Sequence, residues 1–180
     1  MSRAAYPGSF NPPTIAHVAI AAAARERHDL DRVDLVVSRV PLVKGVVEQP
    51  ALADRLEVLQ RLADRLGWLG VVVSERQLIA ELAEGYDVVI MGADKWEQVH
   101  DLAFYDGSAA RRDAAVAGLP TIAVAPRPPH VVPTHLVLDV PDELSSVSST
   151  LARRGAVELM VPEALASGLW KVDRALDLAD

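Results

Sequence analysis

The chain has 180 residues, 51% of them apolar and 4% aromatic, and carries a net charge of −7. It has no cysteine, which excludes disulfides, thiolate metal sites and a cysteine nucleophile, and its acidic balance argues against a general nucleic-acid binder, which needs a basic face. The length suits one domain with an aliphatic core; with no apolar run near the ~18 residues of a membrane span and no secretion pattern at the start, a cytoplasmic protein is expected.

In chain order, Ala4–Tyr6 reads as a short first strand before the Pro7-Gly8 turn. Ala16–Arg27 is Ala-rich and helical, with Thr14 as a good cap ahead of it. Val33–Val37 is β-branched and of strand length. Leu52, Leu56, Leu59, Leu62 and Leu66 then recur at helical spacing up to Gly67. That predicts an amphipathic helix whose stripe leaves Asp54, Arg55, Asp64 and Arg65 largely outside. Gly70–Val73, Asp87–Met91 and Pro120–Ala125 are further strand-length runs. The proline-punctuated stretch from Arg127 to Pro133 breaks the rhythm. Leu136–Val140 reads as a last strand, Pro141–Ser149 as a polar connection into Thr150–Arg154, and Pro162–Leu178 as a helix interrupted near Gly168.

Continuous apolar strands alternating with helices indicate a parallel sheet covered on both faces. The expected fold is α/β: a Rossmann-like, doubly wound parallel sheet of about five strands with a small C-terminal helical segment. Residues 1–180 are expected to form a single domain, with 1–140 as the α/β core and 141–180 carrying a phosphate-binding motif and C-terminal helices.

In such sheets ligands bind where the first strand meets a helix N-terminus. Gly8-Ser9-Phe10-Asn11-Pro12-Pro13-Thr14-Ile15-Ala16-His17 occupies that position. Gly8 lets the backbone turn closely, Ser9 and Phe10 offer N–H groups to an anion, Pro12 and Pro13 stiffen the loop, and His17 falls in the first helical turn. The same residues also suit a rigid turn with a capped helix. The segment is neither a P-loop, lacking Gly-Lys-Ser/Thr, nor a dinucleotide Gly-x-Gly-x-x-Gly fingerprint. His17, His28, His100, His130 and His135 are scattered without metal-ligand spacing, so no resident metal site is expected.

The Gly8–His17 segment resembles the Gly-(Ser/Thr)-Phe-Asp-Pro-x-(His/Thr)-x-Gly-His element of the nucleotidylyltransferase superfamily. Ser148-Ser149-Thr150-Leu151-Ala152-Arg153 is similar to that superfamily's Ser-Ser-Thr-x-(Ile/Val)-Arg motif. Gly92-Ala93-Asp94 looks like the Gly-(Ala/Ser)-Asp of its mononucleotide adenylyltransferases, and Leu159–Ala164 like their C-terminal strand-to-helix passage. Lys44 and Arg55 lie where that subfamily often carries basic residues. This chain departs from the pattern at Ala16, where glycine is usual, and at Asn11, where aspartate is usual. Thr14 in place of a first histidine is the phosphopantetheine-type variant.

The resemblance implies transfer of an adenylyl group from ATP to a phosphate-bearing acceptor, with pyrophosphate released and Mg²⁺ arriving with ATP. Nicotinate or nicotinamide mononucleotide is the leading acceptor, which would place the reaction in NAD biosynthesis. A phosphopantetheine acceptor, a CTP-using cytidylyltransferase and a catalytically impaired nucleotide-binding module are the alternatives. On this reading His17, Thr14 and Lys44 are catalytic, with Lys44 taking the acceptor phosphate. Gly8, Ser9, Phe10, Asn11, Ala16, Gly92, Asp94, Ser148, Ser149, Thr150 and Arg153 contact the nucleotide. Trp96 and Phe104 are candidates for stacking on a pyridine ring. Neither nucleic acid nor membrane is expected as a partner, and a homo-oligomer is possible.

Overall fold

A computed structural model describes residues 1–40 and 49–170. Five strands, β1 (Arg3–Pro7), β2 (Arg32–Ser38), β3 (Leu69–Ser74), β4 (Val88–Gly92) and β5 (Thr121–Ala125), form one sheet in the order β3-β2-β1-β4-β5. Every pairing is parallel. β1 is central, and its Ala4 and Ala5 are fully buried with no more than a methyl group each, so helices can approach the sheet closely on both sides.

The alternation of side chains along each strand sorts the core into two layers. Ala4, Tyr6, Val33, Leu35, Val37, Leu69 and Ile90 face one layer. Against it pack α1 (Ile15–Arg27) and α2 (Leu52–Leu66), joined by α6 (Ser149–Arg153) and α7 (Pro162–Ser167). Ala5, Val36, Val89, Met91 and Val124 face the other layer, which is closed mainly by α3 (Ile79–Leu82) and α4 (Ala93–Gln98). Helix α5 (Ala109–Ala117) has no buried residue. The leucine stripe of α2 reaches the core as its spacing predicts, with Leu59 and Leu62 at most 1% exposed. Gly67 ends that helix in the left-handed conformation at φ +72°, which glycine adopts without strain. Gly168 does the same for α7 at φ +65°.

Two expectations are corrected. Leu136–Val140 is not a strand: Thr134–Leu136 is a 3-10 turn, and only Val137 forms a bridge, to Val124. Leu138 N–H donates to the Val124 carbonyl at 2.8 Å, and the buried Leu138 and Val140 side chains join the core. The segment therefore plugs the edge of β5 with side chains and does not extend the sheet. Arg55, placed outside the apolar stripe of α2 by spacing alone, is 6% exposed.

Candidate active site

The strand order reverses at β1, which has β2 on one side and β4 on the other; such a switch point opens a crevice at the carboxyl ends of the strands. The Gly8–His17 loop leaves β1 at that point. Gly8 N–H donates to the Val36 carbonyl at 3.0 Å, carrying the β1–β2 ladder one residue further. A Cβ on Gly8 would stand 2.8 Å from the Phe10 ring, so this glycine makes room for Phe10 to fold back beneath the loop. Phe10 adopts φ +44°, a costly conformation for a bulky residue. Its ring, 1% exposed, is held edge-on by Tyr6 at 5.5 Å and His17 at 5.1 Å.

The carbonyls of the loop are taken up by groups from distant parts of the chain. Arg55 donates to Ser9 O at 2.9 Å, Ser149 Oγ to Pro12 O at 2.7 Å, and the Arg153 guanidinium to Asn11 O. Val161 N–H donates to Pro13 O at 3.2 Å, beside the Thr14–Met160 bridge. The Trp170 indole N–H donates to Asn11 Oδ1 at 2.5 Å, with Trp170 and Asn11 both buried. The N–H groups of Ser9, Phe10 and Asn11 have no acceptor among the described residues. A loop with the Ser9, Asn11, Pro12 and Pro13 carbonyls secured and its amides turned to no acceptor offers donors to an anion. The two motifs, more than a hundred residues apart in sequence, are thus joined directly by Ser149 and Arg153.

His17 Nδ1 accepts the Thr14 N–H at 2.9 Å and lies 2.7 Å from Thr14 Oγ1. A ring nitrogen that accepts a backbone N–H carries no proton, so the neutral imidazole has its proton on Nε2. Burial, with a smaller contribution from the Arg127 charge, lowers the His17 pKa from 6.5 to about 4. The ring is therefore a neutral donor at physiological pH. Thr14 is fully buried, with its hydroxyl turned to His17. Ala16 lies in α1 and is absent from the residues with positive φ, so its methyl group imposes no backbone strain.

Ser148 caps α6 by accepting Leu151 N–H at 3.2 Å, and Thr150 Oγ1 accepts from Arg153 at 3.2 Å. Gly92 ends β4, and a Cβ there would stand 2.6 Å from Asp94 Oδ1. Asp94, in the first turn of α4, lies 3.9 Å from Arg127 Nε. Arg127 also donates to Val147 O at 3.4 Å, just before the α6 motif. Sequence reasoning passed over Arg127 as part of a proline-rich loop; its position directly after a strand-length run was the available signal. Arg55, pointed to in the sequence only by the resemblance, lies off the apolar stripe of its helix and yet is buried against the loop. Trp96 packs on the second core layer with His100 edge-on at 4.4 Å, and among the described residues no hydrogen bond or ring pair joins Trp96 or Phe104 to the loop. Lys44 lies outside the described residues. Among those residues no three His, Asp or Glu side chains converge as a metal site, and no helix is long and apolar enough to cross a membrane.

Comparison with known proteins agrees with this geometry. The sequence pattern of the Cytidylyltransferase-like family matches residues 5–155. The chain belongs to that family. A protein of Geobacter sp. (strain M21), described as a probable nicotinate-nucleotide adenylyltransferase, is 32% identical over 134 residues, covering 67% of this chain. The chain spans 58% of the length of that relative. Among solved structures, Plasmodium falciparum nicotinic acid mononucleotide adenylyltransferase complexed with NaAD superposes with a TM-score of 0.69 at 13% identity, covering 94% of this chain and 97% of that one. The same enzyme complexed with APC gives 0.64 at 12% identity, covering 93% and 94%. These two structures share the Rossmann-like fold of this family member.

Proposed function

We propose that the protein transfers the adenylyl group of ATP to nicotinate mononucleotide, or nicotinamide mononucleotide, releasing pyrophosphate in NAD biosynthesis. The observation that carries this reading is the direct joining of the two phosphate motifs, Ser149 Oγ to Pro12 O at 2.7 Å and Arg153 to Asn11 O. The naming of the Geobacter relative supports the choice of acceptor. In the reaction an oxygen of the acceptor phosphate attacks the ATP α-phosphorus, the bond to the α,β-bridging oxygen breaks, and pyrophosphate leaves. Such chemistry needs positioning and charge stabilisation rather than a covalent nucleophile.

Each residue then has a role. His17 donates through Nε2–H to an α-phosphate oxygen as charge builds there. Thr14 acts through His17, fixing its tautomer. The Ser9 and Phe10 amides bind the same phosphate group, with Gly8 and Asn11 shaping the loop and Ala16 beneath it. Ser148, Ser149, Thr150 and Arg153 steady the β- and γ-phosphates, and Arg127 adds charge nearby. Gly92 and Asp94 meet the nucleotide sugar, and Lys44 takes the acceptor phosphate. A divalent ion rides on the triphosphate, a natural carrier for Mg²⁺.

The test is a substrate panel. Purified protein is given ATP or CTP with nicotinate mononucleotide, nicotinamide mononucleotide or phosphopantetheine, and both pyrophosphate and the joined product are measured. A dinucleotide from ATP and a pyridine mononucleotide is expected. Product only with CTP or with phosphopantetheine would replace the acceptor, and nucleotide-induced stabilisation without any product would replace the activity.

A further inference from the structure

Arg55 combines three features that each oppose folding. It is 6% exposed, and among the described residues no carboxylate lies within ion-pair distance of it. It sits in the first turn of α2, the end of a helix where the backbone dipole repels a cation. Its Nε has no hydrogen-bond partner. Burial accordingly lowers its affinity for the proton. Among the described residues its guanidinium makes one hydrogen bond, to the Ser9 carbonyl at 2.9 Å. A buried ion without a counter-charge costs more than an apolar residue of the same size, and breaches of local consistency gather at functional positions. Although the chain as a whole has a charge of −7, three arginines (Arg55, Arg127 and Arg153) flank this loop, and Arg127 has Asp94 at 3.9 Å.

We propose that Arg55 is a positioning residue whose guanidinium fixes the Ser9 carbonyl and whose buried charge is balanced when the polyphosphate of a nucleotide occupies the loop. The proposal rests on the phosphate-binding reading of the loop but not on the identity of the acceptor. A residue kept merely as a structural brace would stabilise the empty protein. One kept for the anion would burden the empty protein and stabilise the complex.

Thermal midpoints of wild type, Arg55→Met and Arg55→Lys, measured alone, with ATP and with inorganic tripolyphosphate, separate the two. Without ligand, Arg55→Met is expected to melt at or above wild type, since its apolar chain fills the same space without a charge. Its shift with tripolyphosphate is expected to fall to about half of wild type or less, while Arg55→Lys keeps most of the shift. An Arg55→Met protein that fails to fold, or melts several degrees lower with its anion shift intact, overturns the proposal. So does an Arg55→Lys protein that loses the shift as fully as Arg55→Met. Because no acceptor is present, a mistaken acceptor leaves these outcomes unchanged; a wild-type protein unmoved by either ligand would instead defeat the phosphate reading itself.

Discussion

The two faces of the sheet are covered unequally. On one, helices of 13 and 15 residues are joined by α6 and α7, and the loop's Phe10 is part of that layer. On the other, α3 and α4 have 4 and 6 residues, and a cavity of about 410 Å³ remains beside α3, over Val36 and Val72. The thick face does more than bury apolar surface. Its helices supply the Arg55, Ser149 and Arg153 side chains that hold the loop carbonyls, and Trp170, just beyond α7, holds Asn11. The Gly8–His17 loop is thus tied to the core beneath it by side chains from several elements, whereas the thin face leaves space.

The strongest way to break this comparison is at the loop itself. His17→Ala is expected to lower pyrophosphate release by about 10²–10³, the usual cost of one preorganised donor, with the far-ultraviolet circular dichroism unchanged. Next come paired truncations across the sheet. Leu59→Ala, at a fully buried site on the thick face, should cost about 4–5 kcal/mol in urea denaturation. Leu82→Ala, which lines the cavity on the thin face, should cost nearer ~2 kcal/mol, because its surroundings are already incomplete. Equal losses at the two positions would mean that the faces are equally packed. Trp170→Phe is smaller still in volume but leaves the buried Asn11 Oδ1 without its donor, for an expected loss of about 1–3 kcal/mol.

The thick face was also the more legible one. The leucine spacing of α2, the β-branched strands and the turn chemistry of Gly8–Thr14 are local signals, and each element formed where those signals lie. The Gly8–His17 and Ser148–Arg153 segments stood out by residue type and order, and the structure brings them into contact. What escaped the sequence depends on contacts between distant segments. Arg55 is off the apolar stripe, and only the arrival of Ser9 from the first loop, 46 residues earlier, gives its guanidinium a partner. Leu136–Val140 has the composition of a strand, yet only Val137 bridges to β5, and no hydrophobic pattern distinguishes a strand from a plug at a sheet edge. Arg127 was hidden among prolines, and its influence on His17 and Tyr6 exists only after β5 brings it alongside β1's loop.

The titration of His17 gives the comparison a pH dependence. The unfolded chain takes up a proton at His17 near its ordinary 6.5 and the folded chain only at about 4. Its contribution to stability is therefore complete above pH 6.5, is lost as pH falls from there toward 4, and stays flat below. Urea midpoints across that range should fall more steeply for wild type than for His17→Ala.

The central claim is that the loop presents a neutral His17 with Nε2–H toward phosphate. Nitrogen-15 NMR of the histidine rings, with His17→Ala to assign the signal, measures this directly at pH 7 and pH 5.5, with and without ATP. The account predicts a neutral ring protonated on Nε2 at both pH values, with that N–H resonance moved by ATP. A ring protonated on Nδ1, an imidazolium at pH 5.5, or an Nε2–H signal indifferent to ATP would contradict it.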